Sequence, residues 1–590
     1  EMKHHGYNVF VTGVTGTGRM TTIKLLLSEY QKKAATLKDR CYLFNFKNVD
    51  QPLLVTLKAG QGKQLSQDMD ELLQELLKNV PSAFDSRRFQ EERKRLGEHF
   101  SARQKTVLKD FEKRVKDRGF EVVQVQGGGG SMRPDIAPVV GNQPINFDQL
   151  DTLVTQGMIT KEQLEQFTAD RAILENQMEV VLREMRNIDR KAKESIEELS
   201  RQTIAPLVKS MIDELIAKFN DVKLTDFFRD LGTDIMSDLD RFRESEEQPK
   251  TASPPKSPPD EDLFMEFRVN VLVDNSETKG IPIIFETNPK FKNLFGTVER
   301  EMDRNGNWRT DFTLIKPGSL LLADGGFLVL NAVDALVEHN VWHTLKRTLR
   351  NGLLDIQPPD LSSMGAVSAL KPEPVRVDAK VIMVGDPNVY YRLYEEDEEF
   401  QKIFKVRADF DVEMPNTKAI IRKYLMFIKM VCDDEGLLPI NADALAAVLE
   451  HAARLAGRKD KLTTRLTVIA DVLREASYWA AKDSGSRVEA RHVRKAIDER
   501  IERVKLVEEK VRNMILDDTI FIDTKGAVVG QINGLTIYDI GEYAFGKPSR
   551  ITVRTSIGRQ GIVNIERESD MSGPSHNKGV LILGGFLRSM

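Results

Sequence analysis

Cysteine is almost missing from this chain. Only Cys41 and Cys432 occur in 590 residues. They are too few and too far apart for a disulfide framework or a thiolate metal site, so no metal is expected, and a reducing, cytoplasmic setting is. A surplus of one charge sign is missing too. Lys plus Arg number 86 and Asp plus Glu 90, a net charge of −4. That balance argues against a dedicated nucleic-acid binder, which carries a basic excess. No apolar run approaches the ~18 residues of a membrane span, and no signal peptide opens the chain, so no membrane partner is expected. The chain starts almost directly on its first strand and stops inside the apolar pattern Gly584–Met590. A fragment of a longer protein, with about three or four domains in this part, is therefore expected.

What is present begins with YNVFVTGVTGTGRMTTIKLLL, Tyr7–Leu27. Val9–Thr12 reads as a β-branched and aromatic strand, and Ile23, Leu25, Leu26 and Leu27 as a following helix. Between them lies a loop with Gly13, Thr15, Gly16, Thr17 and Gly18. Glycines suit such a loop because backbone N–H groups must close around phosphate oxygens without Cβ clashes. The phosphate-binding pattern G-x-x-x-x-G-K-[ST] is departed from at its last two positions, Arg19 and Met20. Arg19 can still meet a phosphate with a planar fork. Met20 offers no oxygen to Mg²⁺, although Thr21 or Thr22 could after a shift of register. The alternative is an ordinary tight turn between strand and helix.

A second nucleotide motif fails independently. P-loop ATPases carry a later strand ending in Asp-Glu, which holds Mg²⁺ and polarises the attacking water. The best candidate strand is GGFLVLNAVDAL, Gly325–Leu336, where the two acidic positions are Asn331 and Ala332. Asp334 falls too late and is expected in the next turn. Losing a positioned base costs ~10²–10⁴-fold in rate. Two separate defects predict slow or absent hydrolysis, with weak nucleotide binding left open.

The organisation along the chain explains the long gap between these motifs. Residues 1–64 read as the first βαβ part of an α/β domain, with Arg40–Phe46 as its next strand. Residues 65–243 read as a helical insertion. Leu164, Phe167, Leu174, Met178, Val181, Leu182, Met185, Ile188, Ile196 and Leu199 recur at mostly 3–4 spacing, predicting a long coiled-coil-like helix. EVVQVQ, GGGGSMRP and DIAPVV predict a small β-hairpin with a loose tip. This block is either purely structural or an arm that guards an entrance or recruits partners. The Pro-, Ser- and charge-rich stretch 244–262 reads as a flexible linker. The α/β domain resumes over 263–415, with strand-like Phe267–Leu272, Pro282–Phe285, Ser319–Leu322, Gly326–Leu330 and Ala379–Val384. Residues 416–516 read as an all-helical lid. Residues 517–590 read as a truncated α+β domain with short strands at Ala527–Val529, Gly534–Tyr538, Ile551–Thr555 and Ile562–Ile565.

Several segments resemble the Lon-type AAA+ proteases. GIPIIFETNPKFKNLFGTVE (Gly280–Glu299), IKPGSLLLADGGFLVLNAVDAL (Ile315–Leu336), VIMVGDPNVYYRL (Val381–Leu393) and KLTTRLTVIADVLREASYWA (Lys461–Ala480) carry the resemblance. GAVVGQINGLTIYDIGEYAFGKPSRITV (Gly526–Val553) and GIVNIERESDMSGPSHNKGVLILGGFLRS (Gly561–Ser589) are similar to the start of a Lon protease domain. The LonB and LonC-like branch is the nearest, with LonC-like proteins favoured by the helical insertion, the degenerate motifs and the missing membrane segment. The resemblance implies an AAA+ P-loop-like module, a helical insertion, an all-α lid and the first part of an α+β protease domain. It implies ATP-independent cleavage of unfolded polypeptides by a cytoplasmic, ring-forming homo-oligomer, a hexamer, with no required cofactor and only weak ATP or ADP binding open.

The family's Ser–Lys dyad, in which Lys serves Ser as general base, is implied beyond Met590. His576 and Lys578 match neither position, so this chain holds no catalytic residue. The resemblance further places Asn388 near the sensor-one position, where a loop cap is the alternative. It places Arg465 at the sensor-two position, where a surface salt bridge is the alternative. Arg407 could face a neighbouring subunit's nucleotide. Trp308 could grip unfolded chain in a pore loop or lie in the core. Three rival functions remain: an ATP-dependent unfoldase-protease with unusual motifs, a non-enzymatic coiled-coil scaffold or chaperone, and a DNA-repair ATPase. The tail and the absent acid pair argue against the last.

Overall fold

The computed structural model describes residues 6–33, 35–126, 132–141, 143–155, 157–244, 264–302, 308–356, 370–541, 543–559, 561–569, 571 and 573–590. It divides into two compact units, one of Glu1–Gly13 with Arg19–Phe410 and one of Val14–Gly18 with Asp411–Met590.

The first unit opens with β1 (Val9–Gly13) and α1 (Arg19–Gln31), followed by β2 (Lys38–Leu43) and β3 (Leu53–Lys58). A helical block comes next: α2 (Gln61–Asp85), α3 (Arg87–Asp117), the hairpin β4 (Phe120–Gln126) and β5 (Met132–Val140), then α4 (Lys161–Phe219) and α5 (Val222–Ser237). The α/β part resumes with β6 (Asn270–Val273), β7 (Ile283–Glu286), β8 (Phe327–Asn331), α6 (Ala332–Val337), β9 (Lys380–Gly385), α7 (Pro387–Glu396) and β10 (Val406–Phe410).

Five of these strands form one sheet in the order β10-β1-β9-β8-β7, with every pairing parallel. The three inner strands, β1, β9 and β8, are near-continuous apolar runs because such a sheet is covered on both faces, whereas the edge strand β10 carries Arg407 and Asp409. Phe10, Leu328, Leu330, Val381 and Met383 join one buried cluster, and Val11, Val329, Ile382 and Val384 the other. The alternation follows from the two-residue side-chain period of a strand. An all-parallel sheet, with α1 directly following β1, is the α/β architecture expected for this part of the chain.

The second strand departs from expectation. β2 does not continue the parallel sheet as a βαβ unit. It pairs antiparallel with β3 and β6 in a separate three-stranded sheet. The reason is that both its faces are also buried: Tyr42 packs with the main core, Cys41 and Leu43 with the helices. The apolar half of the expected strand, Cys41–Phe44, does not by itself separate a parallel from an antiparallel strand. Ser319–Leu322 likewise forms a helical turn instead of a strand, its Leu320 and Leu321 fully buried. A four-residue apolar run does not specify its own geometry.

The helices of the block obey their 3.6-residue period. Leu65, Met69, Leu72, Leu76 and Val80 of α2 meet Ile204, Val208, Ile212 and Leu215 of α4 and Leu224, Phe228 and Leu231 of α5. α4 runs 59 residues, roughly 90 Å at 1.5 Å per residue. Thr160 starts it with a capping box: its hydroxyl accepts from Gln163 N, and the Gln163 side chain accepts from Thr160 N. α3 packs along α4, and the β4–β5 hairpin closes that end through Phe111, Val115, Phe120, Ile136, Leu174 and Val181. The hairpin tip at 127–131 and, after Glu244, the expected linker lie outside the described residues.

In the second unit, α8 (Lys418–Glu435), α9 (Ala442–Leu455), α10 (Leu466–Lys482) and α11 (Ala490–Val504) enclose a core of Tyr424, Ile428, Val448, Ile469, Leu473, Ala476 and Val493. α12 (Leu506–Leu516) leads to a hairpin of β11 (Gln531–Asp539) and β12 (Ala544–Thr552) and to α13 (Pro574–Ser589). Two expected tail strands are corrected. Ala527–Val529 is not a strand, and Ile562–Ile565 runs into a helical turn at Ile565. Among the described residues no helix is long and apolar enough to cross a membrane.

Candidate nucleotide site

The carboxyl ends of β1, β8 and β9 come together beside the start of α1. This is where an open parallel sheet offers its ligand crevice. Gly13 closes β1. A Cβ there would stand 2.8 Å from Phe410 Cβ, so only glycine fits. Arg19, the first residue of α1, sends its Nη1 to the Gly385 carbonyl at the end of β9. Burial lowers the Arg19 pKa, and Asp386 opposes the shift. The P-loop cation is thus held by a strand end of its own protein. Met20 and Thr21 follow it, both exposed.

Asn331 ends β8 and caps α6, its Oδ1 accepting from Val333 N at 2.9 Å. The oxygen that stands in for the missing Asp therefore already holds a backbone donor. Ala332 is fully buried. A Cβ at Gly385 would lie 3.0 Å from Ala332 Cβ and 2.8 Å from Phe10 Cζ. The position of the absent Glu thus faces packed protein. Asp334 lies exposed in the first turn of α6, as expected.

Asn388 is exposed in the first turn of α7, and its backbone N donates to Asp386 Oδ1 at 2.8 Å. Asp386 also accepts from Val389 N at 3.1 Å, so the acid is the helix cap. The pair Asp386-Pro387 is a readable N-cap and N1 signal that the sequence analysis passed over. Asp409 was missed as well. Its Oδ1 accepts from Thr12 Oγ1 at 3.0 Å and from Arg407 Nε at 2.7 Å. Only the pairing of β10 with β1 brings these residues together. Arg407 lies over the rings of Tyr390 and Tyr391, 4.4 and 4.9 Å from their centres, and its charged form is favoured by bonds to Tyr391 and Asp409.

The loop tip and Arg465 belong to the second unit. Thr15 is exposed, and Thr17 is buried with its Oγ1 on Val14 O at 2.8 Å. Gly16 and Gly18 have φ of 89° and 77°, left-handed values that favour glycine. The Gly16 carbonyl accepts from Thr467 N at 3.4 Å. Arg465 caps α10 with an exposed side chain, its backbone N donating to Thr463 Oγ1 at 3.1 Å. Among the described residues its guanidinium forms no ion pair, unlike the surface salt bridge considered as an alternative. Trp308 is 43% exposed, opposite Met302 in a pair of two-residue strands, not in the core. His576 and Lys578 are exposed on α13.

A magnesium nucleotide needs hard oxygen ligands around the metal. At the positions where the motifs expect metal or water ligands, this edge supplies a thioether at Met20, a committed amide at Asn331 and a buried methyl at Ala332. Those residues do not fit that ion. No cluster of three or more His, Cys, Asp or Glu able to hold a metal exists among the described residues.

Three family models match separate segments. The LonB-like AAA domain matches residues 279–411, the archaeal LonB AAA+ ATPase lid domain 439–503, and the Lon-like LonC helical domain 39–72. A putative Lon protease homolog of Escherichia coli is 27% identical over 287 residues, 47% of this chain and 47% of that protein. Its counterpart in Haemophilus influenzae is 23% identical over 46% of this chain and 45% of that protein. An archaeal Lon protease of Archaeoglobus fulgidus is 26% identical over 46% of this chain and 44% of that protein. The matched regions thus span somewhat under half the length of these relatives. On these matches the chain resembles the LonB and LonC-like branch of Lon-type AAA+ proteases, LonB-like in its ATPase and lid segments and LonC-like at the start of its helical block.

Proposed function

We propose that this chain is the gate and ring scaffold of a Lon-type serine endopeptidase that cuts unfolded polypeptides without hydrolysing ATP. The observation that supports this most is the edge of the parallel sheet. Arg19 is engaged by Gly385, Asn331 by Val333, and Ala332 is sealed in the core. The fold is that of a nucleotide-driven module, while the groups that drive turnover are absent or already bonded within the protein. The tail from 517 is read as the start of the protease domain, with the Ser–Lys dyad beyond Met590. In that dyad the Lys would take the Ser proton as the Ser attacks the peptide carbonyl.

The proposed assembly is a cytoplasmic homohexamer, built by repeating one head-to-tail contact until the ring closes. Selectivity follows from access: an extended chain passes a narrow opening and a folded domain does not. In this reading the exposed side chains of Trp308 and Met302 are the ones that would touch such a chain. ATP or ADP binding, if any, is expected to be weak and independent of Mg²⁺.

The test is proteolysis by the full-length parent on an unfolded protein, with and without Mg·ATP, beside an ATPase assay. Equal cleavage in both conditions and background ATPase activity are expected. Robust ATP hydrolysis abolished by Arg19→Ala would overturn the reading in favour of an ATP-dependent unfoldase-protease. No cleavage in either condition would favour the scaffold.

A further inference from the structure

The two long helices of the arm treat their surface charges differently. On α4, cations and carboxylates pair along the helix: Arg171 with Glu175 at 2.7 Å, Arg183 with Glu179 at 3.4 Å and Arg190 with Glu194 at 3.7 Å. The first half of α3 does the same, with Arg87 and Glu91 at 2.8 Å and Lys94 and Glu98 at 3.9 Å. The second half of α3 stops doing so. Lys105, Lys109, Lys113 and Lys116 are all exposed, and none forms an ion pair among the described residues.

Their 4-4-3 spacing sets the four on one helical face. That face is opposite the one carrying Val107, Phe111 and Val115, which pack against the rest of the arm. The row runs about 17 Å along the axis, with neighbours about 5–6 Å apart. Asp110 and Asp117 lie beside it and Glu112 stands between Lys109 and Lys116, all three exposed and none in an ion pair with the row among the described residues. Four unpaired like charges in a row repel one another and are stabilised by any extended anion laid along them.

We propose that this lysine row is a docking surface for acidic segments of unfolded polypeptide, which it captures and concentrates beside the ring. The inference rests on the reading of the chain as part of a protease of unfolded proteins, and names a substrate class for it. Two features favour an acidic polypeptide over a nucleic acid. All four cations are Lys, compact point charges without the fork by which Arg grips phosphate. The one aromatic residue among them in sequence, Phe111, is buried on the opposite face, so none stands beside them to stack on bases. Capture of this kind acts on encounter rate and is weakened by salt.

The test is equilibrium binding of a fluorescein-labelled, unstructured Glu-rich peptide to this chain, followed by anisotropy beside an uncharged Ser/Gly peptide of equal length. The Glu-rich peptide is expected to bind, the uncharged one not, and binding to weaken as salt rises. Replacing all four residues together (Lys105→Glu, Lys109→Glu, Lys113→Glu, Lys116→Glu) is expected to weaken binding about tenfold or more, with unchanged circular dichroism. Replacing the same four by Arg should retain it. Undiminished binding by the Glu variant, or tighter binding of a DNA duplex than of the acidic peptide, overturns the proposal. Cleavage of an uncharged unfolded substrate by the parent separates the two readings. Its absence alongside intact, lysine-dependent binding breaks the proposed function and leaves the docking surface standing. Its presence alongside lysine-independent binding breaks the docking surface alone.

Discussion

The interior of the five-stranded sheet and its carboxyl edge follow different rules within a few ångströms of each other. In the interior, Phe10, Leu328, Val381 and Met383 are fully buried and apolar. Phe10 alone meets the rings of Tyr390, Phe400 and Phe404 at centroid distances of 5.3, 5.7 and 6.5 Å. At the edge, the polar groups are few and most are spent on neighbours: Arg19 on Gly385, Asn331 on Val333, Asp386 on α7, Asp409 on Thr12 and Arg407. The architecture needs only the interior. Nucleotide chemistry needs free valences at the edge, and this edge offers few. The order of the sheet therefore does not depend on which polar groups its edge carries.

That contrast can be broken by measurement. The largest effect is expected in the interior. Phe10→Ala should destabilise the protein by about 4 kcal/mol in urea unfolding, through lost contacts and the cavity left behind. A loss below about 1 kcal/mol would mean that the edge carries more of the stability than the contrast allows.

Next is Ala332→Glu, which restores the motif on paper. A carboxylate at a fully buried position against Gly385 and Phe10 should cost about 3 kcal/mol. Combined with Asn331→Asp, it should still give no ATP turnover above background. Turnover in the double variant would show the edge to be repairable, and the comparison would fail.

A third effect is read in pH. Burial, helped by Asp39 and Asp274, pushes the Cys41 thiol up to about 12. A raised folded pKa favours the protonated form. Its contribution to stability is therefore complete below the free thiol value of 9.0 and is lost as pH rises towards about 12. Cys41→Ala should flatten the alkaline fall in stability measured by denaturant midpoints between those limits. An unchanged slope would assign it to other groups, buried Tyr42 among them.

The smallest effect belongs to the edge itself. Asn331→Ala removes a helix cap that is exposed to solvent and should cost about 1 kcal/mol. Asn331→Asp should keep the cap and change stability little. A loss near that of Phe10→Ala would erase the distinction between interior and edge.

What was legible of the candidate site was its residue types, because the side-chain chemistry of Arg19, Met20, Asn331 and Ala332 is a property of each single position. The long helix was legible for a related reason: Leu164 to Leu199 carries its own period, which α4 follows. The strands were less so. Arg40–Phe46, Ser319–Leu322 and Ile562–Ile565 are short, mostly apolar segments whose geometry depends on what covers them. The first became an antiparallel strand, the second a helical turn, and the third no strand at all. Trp308 looked like core by its type, and its exposure in a two-residue strand pair could not be read from its neighbours in the chain.

By itself the sequence determined which functional groups this protein lacks, since a side chain's donors, acceptors and charge are properties of one residue. Tertiary structure alone decided how the remaining groups are used. Arg19 and Gly385 lie 366 positions apart in the chain, and Thr12 and Asp409 lie 397 apart. Only the parallel pairing of β1 with β9 and β10 brings them within hydrogen-bond reach.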